Sequence, residues 1–283
     1  MQIKGTTKLL GVFGFPVAHS MSPLMHNNAI KKMGLDLCYL PYEVKPAHLK
    51  KVLEAMRSLN FLGGNVTIPH KQAAYELMDE VSDISRLMGV INTIVNKNGL
   101  FWGTTTDPKG FIESLTEQTD IKGKKIIIIG TGGTARTIAF ALLTDARCGS
   151  IIISGRSPYK GEAIAGEILE KLNKNVEVAD LKDQKVMTNL ARHTDIIINA
   201  ASAGMYPDIN TSPLDPALLR KEQVVYDTVY NPRNTKLLTH ASRKGCKTIS
   251  GLGMLVYQGM ESFKLWTQTS PPVEYFREGL KDV

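Results

Sequence analysis

A chain of 283 residues with 43% apolar and 22% charged residues can bury one large core or two ordinary ones, which excludes a disordered or fibrous protein. Lysine and arginine number 34 against 27 aspartates and glutamates, a net charge of +7, yet no block of like charges occurs, so neither a nucleic-acid-binding arm nor an acidic tail is supported. Cys38, Cys148 and Cys246 lie far apart without a C-x-x-C pair, the pattern of free thiols in a reducing, cytoplasmic compartment rather than of a disulfide framework or zinc site.

The longest stretch without Asp, Glu, Lys or Arg runs from Leu9 to Ile30, but Pro16, His19, Ser20, Pro23, His26, Asn27 and Asn28 interrupt it, so it cannot span a bilayer. Lys4 and Lys8 ahead of Leu9 to Phe15 imitate a secretory signal faintly. Gly14 and Pro16 break that apolar region, and a short buried strand is the better reading. Short apolar runs then alternate with segments of helical period. Ser22-Pro23 opens a helix, Leu37 to Val44 reads as a strand, and Pro46 opens another helix. Phe61 to Ile68 and Gly89 to Val95 continue the strand series. The Lys97-Asn98-Gly99 turn leads into Leu100-Phe101-Trp102 as a hairpin, so the first half is α/β.

After the polar stretch Thr116 to Lys125 comes a second series of strands, Ile126 to Ile129, Ile151 to Ile153, Val176 to Val178, Ile196 to Ile198 and Val224 to Tyr226. Continuous β-branched runs separated by helical segments predict a parallel sheet covered on both faces, a doubly wound domain. No internal repeat or low-complexity segment appears. The two halves therefore read as two domains with a boundary between Asp107 and Lys125.

Gly130-Thr131-Gly132-Gly133-Thr134-Ala135 follows the Ile126 to Ile129 strand and opens the helical segment Ala135 to Leu143. It fits G-x-G-x-x-G/A. Gly130 permits the tight turn, Gly132 lets the backbone reach a pyrophosphate held on the helix N-terminus, and Ala135 is small enough for helix to meet strand. A bare glycine triplet is also found in ordinary strand-to-helix turns; the strand before, the helix after and a second strand about twenty residues on favour dinucleotide binding. At the end of that second strand, Ser154 to Lys160 holds no acid for a ribose hydroxyl, while Arg156, Ser157 and Lys160 offer cations and a hydroxyl to a 2′-phosphate. NADP is thus expected over NAD, with a solvated loop pair as the alternative reading of Arg156 and Lys160.

In the first half four polar clusters sit at strand ends or strand-to-helix junctions: His19 to Ser22, Asn65 to Lys71, Asn92-Thr93 and Thr105-Thr106-Asp107. That edge of an open α/β sheet binds ligands, so converging uncharged groups suggest a small polyhydroxylated or carboxylated substrate. Commoner roles compete: Ser22 as a helix cap ahead of Pro23, Asn92 bonded to its own backbone, Asp107 as a cap before Pro108.

Taken together, Ser20 to Pro23, Asn65 to Lys71, Asn92-Thr93, Thr106-Asp107, Gly130 to Arg136, Asp227 to Pro232 and Gly251 to Gly259 resemble the shikimate dehydrogenase family, its quinate/shikimate members included. The resemblance covers nearly the whole chain. It implies reversible NADPH-dependent reduction of 3-dehydroshikimate to shikimate on the way to chorismate and the aromatic amino acids. Ser20, Ser22, Thr67, Asn92, Asp107 and Gln258 would bind substrate with Tyr230 near the ring, and Lys71 would handle the proton with Asp107 fixing it. Gly130, Thr131, Gly132, Gly133, Thr134, Ala135, Arg156, Ser157, Lys160, Thr228 and Gly251 would bind NADP. The expected organisation is a substrate domain over 1–108, completed by C-terminal helices over about 254–283, and a Rossmann-type NADP domain over 109–253. The Gly251 to Gly259 stretch would be a turn running into a helix from Leu255 to Trp266.

Three positions depart from the family pattern: Thr105 and Gly155 stand where Asn is usual, and Ala201 where Thr is usual. The last two remove hydrogen bonds around the cofactor, so a quinate/shikimate dehydrogenase that also accepts NAD is a rival. A rival of another class is a silent shikimate- and NADP-sensing module, against which the intact Lys71 and Asp107 stand. No metal, nucleic acid or membrane partner is expected, and the resemblance allows a homodimer.

Overall fold

The computed structural model describes residues 2–145 and 147–281. They divide into two compact units, one running up to Gly110 and resuming at Leu255, the other Phe111–Met254.

The first unit holds β1 (Lys8–Gly14), α1 (Ser22–Lys32), β2 (Leu37–Glu43), α2 (Leu49–Ser58), β3 (Gly63–Val66), α3 (Lys71–Tyr75), β4 (Glu80–Val81), α4 (Asp83–Met88), β5 (Thr93–Lys97) and β6 (Leu100–Thr104). Helix α5 (Asp107–Thr116) leaves it. Its sheet has the order β2-β1-β3-β5-β6-β4. It is mixed, because β5 runs antiparallel to both β3 and β6 while β1, β2 and β3 are mutually parallel. The hairpin forms as its turn residues predict, with Lys97 opposite Leu100. The strand expected from Gly89 begins only at Thr93, because Gly89 closes α4 in the left-handed conformation at φ 64° and spends the next residues on the connection.

Phe13, Leu49, Leu53, Met56, Phe61, Ile94 and Phe101 form one core cluster of this unit. A second is aromatic: His26 on α1 stacks on Tyr39 of β2 at 4.3 Å and meets Phe263, Trp266 and Phe276 at 5.5–6.1 Å. Those three residues come from the C-terminal helices α10 (Leu252–Thr267), which closes the unit, and α11 (Val273–Glu278). Trp266 also donates its indole Nε1 to the Ile94 carbonyl at 2.8 Å, tying the end of the chain to β5.

The second unit holds β7 (Lys125–Ile129), α6 (Gly133–Thr144), β8 (Ser150–Gly155), α7 (Pro158–Leu172), β9 (Glu177–Asp180), α8 (Gln184–His193), β10 (Ile196–Asn199), β11 (Val224–Asp227), α9 (Lys236–Arg243) and β12 (Lys247–Ser250), and α10 (Leu252–Thr267) starts in it. The order β12-β11-β10-β7-β8-β9 is parallel throughout, the doubly wound arrangement whose direction of winding reverses between β7 and β10. Ile126 to Ile129 are at most 2% exposed, as expected of a central strand with both faces covered. Strand β12 went unread in the sequence because Lys247 and Thr248 face solvent on this edge strand, leaving Ile249 as its buried apolar residue.

Helix α10 also begins earlier than expected. The glycine run holds one turn residue, Gly251, and Gly253 and Gly259 stand inside the helix. A Cβ at Gly253 would lie 2.3 Å from Ser114 Oγ, and one at Gly259 2.3 Å from Met25 Cε, so both positions serve close packing.

Candidate active site

In the first unit the loop after β3 delivers Lys71. Thr67 takes its place through its backbone, donating to the Phe13 carbonyl at 2.9 Å and accepting from the His70 amide at 2.8 Å. The buried His70 ring bonds the Val44 carbonyl through Nε2 at 2.7 Å, so the start of α3 is pinned to the end of β2. Lys71 then donates through Nζ to Asp107 Oδ2 at 2.6 Å, with the two side chains 33% and 13% exposed. Asp107 lies in the first turn of α5, where the helix dipole favours its negative charge.

Asn92 holds the other carboxylate oxygen. Its Nδ2 donates to Asp107 Oδ1 at 2.8 Å, to Thr106 Oγ1 at 3.0 Å and to Gln258 Oε1 at 3.3 Å, while its Oδ1 accepts from the Thr106 amide at 2.9 Å. The reading of Asn92 as bonded to its own backbone is therefore corrected: the side chain bridges β5, α5 and α10. Ser22 does not cap α1 either. The cap position is Met21, with no side-chain bond, and Ser22 is the first helical residue. The Ser22 amide donates instead to Ser20 Oγ at 3.3 Å.

Beneath this pair runs a buried polar relay that the sequence did not disclose. Tyr39 donates to Asn65 Oδ1 at 2.7 Å, and Asn65 Nδ2 donates to the Asn92 carbonyl at 3.0 Å, Thr93 Oγ1 at 3.2 Å and Ser262 Oγ at 3.0 Å. Ser262 in turn donates to the Gln258 carbonyl one helical turn earlier at 3.0 Å. Burial raises the Tyr39 phenol well above its ordinary pKa, so it stays a neutral donor. Tyr39 reads as an ordinary core aromatic, and Ser262 carries a signal only in standing one helical turn after Gln258. Lys71, Asp107, Asn92 and Gln258 are thus linked in that order by side-chain hydrogen bonds, while Ser20 and Ser22 bond each other at the start of α1. Tyr230 belongs to the second unit, half-buried after β11, with its phenol pKa raised by burial.

In the second unit the glycine turn lies at the reversal point of the sheet. Gly130 has φ 131°, and a Cβ there would stand 2.9 Å from the Ala200 backbone, so both conformation and space demand glycine. A Cβ added at Gly132 or Gly133 would meet nothing within 4 Å, and the first turn of α6 carries no acid. The exposed backbone and helix N-terminus therefore suit an anion, and the residues fit a dinucleotide pyrophosphate. Ala135 is fully buried at the helix–strand contact. Gly155 has a local reason of its own, since a Cβ there would lie 2.5 Å from Thr131 Cγ2.

Gly130, Thr131, Arg156, Ser157 and Lys160 line one cleft of about 570 Å³ together with Ala201 and Asp208. Arg156 and Lys160 are exposed. Thr228 and Gly251 pack back to back after β11 and β12, the Thr228 carbonyl oxygen 2.2 Å from where a Gly251 Cβ would stand. Asp227 organises this end of the sheet, accepting from Thr235 at 2.6 Å, Asn199 at 2.8 Å and the Val229 amide at 3.0 Å. Burial pushes its carboxyl pKa up. Among the described residues no group of His, Cys, Asp and Glu could hold a metal ion, and no helix is long and apolar enough to cross a membrane.

Family models match along the chain in order: a shikimate dehydrogenase substrate binding domain over residues 12–94, shikimate/quinate 5-dehydrogenase over 113–243 and a shikimate 5′-dehydrogenase C-terminal domain over 251–281. The chain is 41% identical to the NADP(+)-dependent shikimate dehydrogenase of Moorella thermoacetica, covering 100% of this chain and 95% of the relative. It is 43% identical to that of Methanocaldococcus jannaschii, covering 99% and 98%. A crystal structure of a shikimate dehydrogenase in complex with NADP+ superposes with a TM-score of 0.93 at 41% identity, over 99% of this chain and 97% of the other. Identity at this level, sustained from end to end and carried by the same order of domains, leaves one assignment: the chain belongs to the shikimate dehydrogenase family.

Proposed function

We propose that the chain is an NADP-dependent shikimate dehydrogenase, an oxidoreductase that interconverts 3-dehydroshikimate and shikimate. The observation that carries this reading is the 2.6 Å contact of Lys71 with Asp107, whose second oxygen is held by Asn92. A ketone becomes an alcohol by gaining a hydride at carbon and a proton at oxygen, and the dinucleotide supplies the hydride when bound. Lys71 gives the proton to the carbonyl oxygen in reduction and takes it back in oxidation. Asp107 fixes the ammonium by a charge-assisted bond and accepts from a substrate hydroxyl. Ser20, Ser22, Thr67 and Gln258 supply uncharged hydrogen bonds for the remaining oxygens, with Tyr230 near the ring.

The cofactor reading rests on the glycine turn of residues 130–135, on Arg156, Ser157 and Lys160 in the cleft, and on Thr228 and Gly251 behind it. The substrate domain is residues 1–108 with the helices over about 254–283, and the NADP domain is 109–253. Three free cysteines, two of them buried, suit a cytoplasmic setting. The test is NADPH formation from shikimate by purified protein. Absence of turnover in the wild type, or full turnover in a folded Lys71→Ala variant, would falsify the assignment.

A further inference from the structure

The second unit places one acid in the cofactor cleft. Asp208 stands on the segment after β10 and lines the same cleft as Arg156, Ser157 and Lys160. Its backbone is held: the Asp208 carbonyl accepts from the Thr211 hydroxyl at 2.9 Å, and that hydroxyl accepts from the Gly204 amide at 2.8 Å. Among the described residues neither Arg156 nor Lys160 forms an ion pair with Asp208; Lys160 instead lies over the Tyr159 ring at 6.0 Å. The cleft therefore offers two cations and one carboxylate with no ion pair between them. The end of β8, where an acid ordinarily accepts a ribose hydroxyl, holds Gly155 and Arg156 and no acid.

These charges act oppositely on the two dinucleotides. A 2′-phosphate gains from Arg156 and Lys160 and is repelled by Asp208; a 2′-hydroxyl suffers no such repulsion and can donate to the carboxylate. We propose that Asp208 is a specificity-determining residue that sets the balance between NADP and NAD by opposing the 2′-phosphate. This rests on the dinucleotide reading of the glycine turn.

Calorimetric titration of the full chain with 2′,5′-ADP and with 5′-AMP tests it. Asp208→Asn is expected to bind 2′,5′-ADP about three- to tenfold tighter at low salt, with 5′-AMP unchanged or weaker and the gain shrinking as salt screens it. The ratio of kcat/KM for NADPH over NADH should rise in parallel, whereas Arg156→Ala should lose 2′,5′-ADP. An unchanged ratio of the two affinities in Asp208→Asn, or equal tightening of both, overturns the proposal. Binding of neither compound by the wild type instead defeats the cofactor reading, and this inference with it.

Discussion

At the scale of single residues, the site is built from side chains whose second partner matters as much as their first. Lys71 is held by Asp107, and Asp107 by Asn92, so the proposed proton-handling group is fixed by a residue that never touches it. Lys71→Ala should lower kcat by at least about a hundredfold while circular dichroism stays unchanged, since the side chain is one-third exposed and carries no core packing. Asn92→Ala removes donors from Asp107, Thr106 and Gln258 together. It should cost about 1–3 kcal/mol in urea unfolding as well as activity, because the acceptors it leaves behind are buried or half-buried. Gly130→Ala meets both a positive φ and a backbone contact, so a loss of about 1–3 kcal/mol with impaired NADPH binding is expected, read by thermal melts and fluorescence titration. The residues that sequence patterns exposed were those whose chemistry is unusual for their surroundings, such as Lys71 after an apolar strand. Tyr39 and Ser262 stayed hidden because a hydroxyl in a core position is recognisable only when its partner, distant in sequence, is known; Asn65 was visible only as the start of a polar cluster.

At the scale of elements, helix α1 carries a histidine with an unusual position. His26 is fully buried among aromatic rings, and neither ring nitrogen has a hydrogen-bond partner among the described residues. Burial penalises the charged form and lowers its pKa from 6.5 to about 3. Because the unfolded chain takes up this proton near pH 6.5 and the folded one only near pH 3, the contribution of a neutral His26 is fully present above pH 6.5. It is lost progressively as pH falls toward 3. The ceiling on that contribution is on the order of 4–5 kcal/mol at about 1.4 kcal/mol per pKa unit. Melting temperature should therefore fall between pH 6.5 and 4.5 with a steeper slope in the wild type than in His26→Phe; equal slopes would rule out His26 as the group responsible. The helix itself was legible from Ser22-Pro23, but its cap was not. Serine before proline satisfies the capping pattern, and the backbone between Ser20 and Ser22 chose a different hydrogen bond.

At the scale of the whole molecule, the chain leaves its first unit at Gly110 and re-enters it at Leu255. Each unit has a sheet with its own core, so the 111–254 segment expressed alone should fold cooperatively. Truncation after residue 254 removes Phe263, Trp266 and Phe276 from around His26 and Tyr39, and each large aromatic lost from a core costs about 3–5 kcal/mol. The truncated chain should lose native near-ultraviolet dichroism of the first unit, measurable against the intact protein; retention of a full native signal would contradict this account. The sequence by itself determined the layer type of both halves and the nucleotide turn. Apolar runs of isoleucine, a glycine triplet between strand and helix, and an Asn-Gly hairpin turn are local signals that neighbouring residues carry together. Only the tertiary structure decided that the first sheet is mixed, that Asn92 bonds both Asp107 and Gln258, and that Asp208 shares a cleft with Arg156. Strand order, long-range hydrogen bonds and the field of a charge across a cleft depend on distances between residues remote in the chain, which periodicity and spacing do not encode.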